Sequence, residues 1–204
     1  MIPTYQIALA GASLFVLLLV VLHFLKPEFD PGWRMISEYA IGRFGWLMRL
    51  AFFSWAAAVL ALTLGLRGEV GVVPKIWLYV VVAALVGAGV FRTDPITEQG
   101  KDLANRIHAL CGAIVILSFP LLATFLCVAL CGGHTDRNPI LLILLTGLNW
   151  VGLLAFIASV LVARRKSSNV EGFGPEVRLG WPNRLLVVSY AGWVVAAAAM
   201  ARPS

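Results

Sequence analysis

Residues 14–25 read LFVLLLVVLHFL, with only His23 breaking the apolar run. Extended back to Tyr5, the stretch covers residues 5–25. That matches the roughly 20 residues a helix needs to cross a hydrocarbon core about 30 Å thick. Nothing charged precedes Lys26 except the amino terminus, so the run lacks the basic leader of a secretory signal. The sequence after it, KPEFDPGW at 26–33, offers no small-residue cleavage site. We read the run as a retained membrane helix.

The rest of the chain repeats the pattern. Its 204 residues are 60% hydrophobic and 13% charged, with mean hydropathy +0.90. Soluble domains carry about 25% charged residues and about 45–50% apolar ones. A soluble core of this length has too little interior for so much apolar surface, whereas a bilayer is itself a solvent for it. Further spans fall at 45–66, 76–91, 107–131, 139–163 and 184–201. Pro74 argues for a break before the third span. Pro120 sits in the fourth, where it removes one backbone donor and requires a neighbour to satisfy the freed carbonyl. The expected fold is an all-α polytopic membrane helix bundle of six transmembrane helices, a single integral membrane domain over residues 1–204.

Six spans put both termini on one side. Twelve of the 16 lysines and arginines lie in or beside loops one–two, three–four and five–six. The positive-inside rule then predicts those loops in the cytoplasm and both termini outside, in a plasma (inner) membrane. The net charge of +6 reads as a membrane-surface feature, with ARRKSS at 163–168 facing anionic lipid, and not as a nucleic-acid signal. Among the cysteines, Cys127 and Cys131 share a helix face and read as packing residues. His134, in a short outer loop, reads as solvated. No CxxC, HExxH or phosphate-loop motif occurs, and no motif specifies a cofactor or a metal site.

Two loops carry most of the polar information. Loop one–two contains Asp30-Pro31 and loop three–four, within FRTDPITEQGKDLANRIHALCG at 91–112, contains Asp94-Pro95. Aspartate at an N-cap followed by proline is a helix-start signal, so each loop is expected to hold a short interfacial helix. Trp33, Ile36, Ala40 and Phe44 recur at helical spacing in the first, with Trp33 and Trp46 as headgroup-depth anchors. His108 follows the second loop and enters the membrane, where an ionisable group needs a partner.

The stretches ISEYAIGRFGWLMRLAF at 36–52, GVFRTDP at 89–95 with RIHALCG at 106–112, and GWPNRLLVVSYAGW at 180–193 resemble the bacterial membrane proteins catalogued as domain of unknown function 998. The resemblance covers most of the chain and implies a compact helical bundle. It also implies a shared set of a Ser-Glu pair, an aspartate, a histidine and an arginine, here Ser37, Glu38, Asp94, His108 and Arg184. The segment between Asp94 and His108 is more charged than the family pattern, and Asn183 replaces a longer polar residue. The family carries no established activity.

Topology alone puts these five residues on one face of the bundle. As an enzyme acting on a lipid or amphiphile, the chain would use His108 as general base, Ser37 as nucleophile or positioning hydroxyl and Asp94 as orienting carboxylate. Arg184, with Glu38, would hold an anionic headgroup, helped by two helix N-termini. A metal variant places His108, Asp94, Glu38 and His23 around an ion. The alternatives are a binder or transporter without chemistry, with Gly87, Gly89 and Pro120 as pointers to broken helices, or an accessory subunit packing small-residue faces against a membrane-protein partner.

Overall fold

With no water inside a bilayer, backbone N–H and C=O groups must pair within their own segment, so apolar runs of this length become helices. The computed structural model describes residues 4–66, 70–98, 102–133, 138–166 and 172–201. Arg67, Lys101, His134, Arg137, Ser167, Ser168 and Arg202 lie outside the described residues. Six long helices form: α1 Thr4–Leu25, α2 Gly45–Gly65, α3 Val72–Val90, α4 Leu103–Gly133, α5 Ile140–Lys166 and α6 Gly180–Ala201. Each is long and apolar enough to cross a membrane, and the chain is a multi-pass membrane protein.

The central helices are α2 and α6, which bury two thirds of their most apolar windows. Around them, α1 packs on α2 and α6, α3 joins α2 to α4, and α5 packs on α4 and α6. Lipid tails are as apolar as leucine, so close backbone approach carries much of the packing here. A Cβ at Gly11 would stand 2.6 Å from the Ser54 carbonyl oxygen, and one at Gly152 would stand 3.0 Å from Leu186 Cα. Outward-facing Leu17, Leu117, Phe125, Val128, Leu144 and Leu154 leave large apolar side chains exposed, as a lipid-facing surface requires.

Pro120 illustrates how the interior resolves a missing donor. The helix would have paired the Ile116 carbonyl with the N–H of residue 120. Instead the Tyr190 hydroxyl donates to Ile116 O at 2.8 Å, while its ring stacks on Phe119 with centroids 4.5 Å apart. The neighbour called for by the proline is a tyrosine from α6.

Three helix starts differ from the hydropathy reading. α3 begins at Val72, so Pro74 lies in the first turn, where no intrahelical donor is needed, and makes no break. α4 begins at Leu103 because Asp102 caps it, Oδ1 accepting the Ala104 N–H at 2.9 Å. α6 begins at Gly180, with Pro182 in its first turn. His108 and Arg184 consequently sit a turn or more inside their helices.

The short helix of loop one–two is a 3-10 helix at Ile36–Ala40. It lies downstream of Asp30-Pro31, whose own role is a turn in which Asp30 Oδ1 accepts the Gly32 N–H at 2.7 Å. In loop three–four, Pro95 opens a single turn closed by Glu98 N–H to Pro95 O at 3.0 Å. The Asp94 carboxylate caps no helix there, because the capping position belongs to Asp102. Beneath the loops, Ala163, Val177 and Leu179 form a small apolar cluster with Trp33, Ile96 and Phe173 around it.

Candidate functional site

All three odd-numbered loops lie at one end of the bundle and are tied to each other. Glu38 Oε1 accepts the Ile96 N–H at 2.9 Å, joining loop three–four to loop one–two. Phe173 N–H donates to Ile96 O at 2.8 Å, adding loop five–six. Asn183 Oδ1 accepts the Ile36 N–H at 3.1 Å, fastening the 3-10 helix to α6.

Glu38 is fully buried. Its other oxygen accepts the Met35 N–H at 2.8 Å, and Arg34 Nη2 stands 3.0 Å from Oε1. Burial pushes the Glu38 carboxyl above the usual carboxylate range, against the pull of the Ile96 and Met35 donors and of the Arg34 and Arg184 guanidiniums. Lys26, also buried, donates from Nζ to the Tyr39 and Ile41 carbonyls and so caps the 3-10 helix. Burial lowers its pKa, with Glu28 opposing.

Arg184 is committed in the same way. Nε donates to His23 Nε2 at 2.8 Å, and Nη2 donates to the Tyr39 hydroxyl at 2.8 Å. Nη1 reaches the carbonyls of Arg34 at 2.7 Å, Gly180 at 3.0 Å and Pro31 at 3.4 Å. Arginine only donates and a carbonyl only accepts, so His23 carries its proton on Nδ1, directed at Leu19 O 2.6 Å away. His23 thus faces Arg184, and Glu38 serves loop backbone.

A second group of residues faces a cavity of about 890 Å³. Ser37, Asp94 and His108 line it; Glu38 and Arg184 do not. On α4 the lining runs from Asn105 to Leu117, about 18 Å at 1.5 Å per residue. Polar side chains gather at the loop end: Ser37, Thr93, Asp94, Glu98, Asn105 and His108. Deeper, the walls are Phe52, Trp55, Leu85, Phe156, Leu186 and Val187. Ala109, Ala113 and Leu117 of α4 and Leu161 of α5 line the cavity and are exposed, so it is open along the edge where these helices face each other.

His108 is 6% exposed. Its Nδ1–H donates to the Ala88 and Phe91 carbonyls at 3.1 and 3.2 Å, at the end of α3. That pins the ring and leaves the lone pair on Nε2, which has no hydrogen-bond partner among the described residues. Ser37 and Asp94 share the cavity with His108, yet no hydrogen bond joins the three. Backbone carbonyls orient the ring, in place of Asp94. Trp55, 2% exposed, also lines the cavity, and its Nε1–H has no partner.

The family model described as "Protein of unknown function (DUF998)" matches residues 9–200. The chain belongs to the DUF998 family. No curated protein and no solved structure matches it. In this DUF998 protein the five residues first singled out fall into a cavity group, Ser37, Asp94 and His108, and a frame group, Glu38 and Arg184. Sequence reasoning passed over Asn105, Glu98, Trp55 and Arg164 on the cavity. Asn105 carried a usable signal, a polar residue one turn before His108 on the same helix face. Its Oδ1 accepts the Asp94 N–H at 3.0 Å and holds that loop over the cavity. Trp55 lies within an apolar span and carried none.

Proposed function

We propose that this DUF998 protein takes a lipid or small amphiphile into the cavity from the bilayer, with the polar end at the loops. The observation that carries this reading is the lining of the 890 Å³ cavity, which passes from polar at the loop end to apolar toward the middle of the bundle. The volume lies in the range of small-molecule sites, about 300–1,000 Å³. The opening between α4 and α5 gives an amphiphile a route that never leaves lipid. The charge bias of the loops supports a cytoplasmic mouth in a plasma membrane.

In this reading His108 Nε2 accepts a hydrogen bond or a proton from the bound molecule, Ser37 supplies a hydroxyl beside it, and Asp94 supplies a carboxylate. Glu38 and Arg184 hold the loops that carry them and do not touch the ligand. The test is native mass spectrometry of the detergent-purified protein against His108→Ala. Wild type is expected to retain lipid adducts that the variant loses several-fold. Equal retention by both would remove His108 from the site.

A further inference from the structure

The amphiphile reading leaves the headgroup open, and the charges on the page narrow it. Four cations at this end of the bundle are already committed to the fold. Arg184 serves His23, Tyr39 and three carbonyls, and Lys26 serves two more. Arg34 pairs with Glu38, and Arg92 pairs with Asp102. None of these four lines the cavity. An anionic headgroup entering there meets no guanidinium from α6 or from loop one–two.

What does line the loop end is an excess of acceptors. The carboxylates of Asp94 and Glu98 have no hydrogen-bond partner among the described residues, and neither does His108 Nε2. Arg164, exposed at the end of α5, is the one cation on the lining among the described residues. His108 is more than nine-tenths buried on this cavity, with Nε2 unpartnered among the described residues. An unpaired polar group in such a place loses the interaction it would have in water, so a ligand that pairs with it gains affinity.

Resting on the amphiphile reading, we infer that the bound molecule is a lipid whose headgroup carries a primary ammonium. Three N–H donors on one cation match the Asp94 and Glu98 carboxylates and the imidazole lone pair. The phosphate of a zwitterionic headgroup faces Arg164. Deeper in, one acyl chain occupies the apolar wall. The side opening leaves a second chain in the bilayer.

The experiment offers the delipidated full-length protein phosphatidylethanolamine, phosphatidylglycerol or diacylglycerol of the same acyl composition in detergent and reads bound lipid by native mass spectrometry. Phosphatidylethanolamine is expected to exceed phosphatidylglycerol by about tenfold, the scale of one charge-assisted hydrogen bond. Asp94→Asn should erase most of that preference. Glu98→Gln, at an exposed side chain, provides a second variant that should move in the same direction. Equal retention of all three lipids overturns the ammonium inference and leaves the amphiphile reading standing. Stronger retention of phosphatidylglycerol, or an unchanged preference in both variants, has the same effect. Retention of none by wild type overturns both.

Discussion

Tyr190 and Pro120 form a pair whose logic can be checked by itself. A buried carbonyl without a donor is destabilising by about 1–3 kcal/mol. Tyr190→Phe keeps the stacked ring against Phe119 and removes only the hydroxyl that reaches Ile116 O. We expect it to lower stability by about that amount in thermal unfolding of the purified protein. Pro120→Ala restores the backbone N–H that would pair with Ile116 O. In that background Tyr190→Phe should be close to neutral, and an undiminished loss there would refute the pairing. Half of this was legible in the sequence, because a proline inside a membrane helix announces an unpaired carbonyl. Which residue supplies the donor was not, since Tyr190 lies 74 positions away. The two aspartates teach a related lesson. Asp94-Pro95 has the chemistry of a helix start, yet Asp102 caps α4. Residues 103–106 are compatible with helix, so the helix extends N-terminally past the edge of the apolar run that marked it. That extension leaves the Asp94 carboxylate available to the cavity.

Among the elements, α6 holds loop one–two in place. Its Arg184 reaches a histidine, a tyrosine and three carbonyls through a planar fork with fixed donor directions. A lysine there keeps the charge but delivers its donors from a single point and cannot span these partners. Arg184→Lys should lower stability by about 3 kcal/mol, the scale of one or two hydrogen bonds from a charged group. It should also open loop one–two to limited proteolysis. Lipid retention by the fraction that stays folded should persist, because Arg184 does not line the cavity. A variant that is stable and protected but has lost lipid would return Arg184 to the binding site. The charge of Arg184 and its place near a helix start were visible beforehand. Its acceptors were not, because they depend on how loop one–two folds back over α6. A Cβ at Gly180 would collide with the Pro31 carbonyl oxygen, so that fold-back relies on a glycine at the contact.

For the whole molecule, the charge bias makes a definite statement about sidedness. Glu176, exposed in loop five–six, belongs to the end predicted to be cytoplasmic. With the three native cysteines replaced, Glu176→Cys in intact cells should resist a membrane-impermeant maleimide and react once the membrane is permeabilised. Ready labelling of intact cells would reverse the orientation and, with it, the leaflet from which the cavity is reached.

The sequence by itself establishes a membrane class, six spans and the gathering of three loops at one end. These follow from local sums of hydropathy and from counting crossings, and no distant residue alters them. It also marks the candidate site residues, since ionisable groups are scarce in so apolar a chain. The fold in three dimensions divides those residues. Helix rotation turns His108 toward an open space and Arg184 toward a loop, and the 3-10 helix points Ser37 and Glu38 to different neighbours. Such choices rest on contacts between segments far apart in the chain, where only packing selects which polar group meets a partner and which meets a cavity.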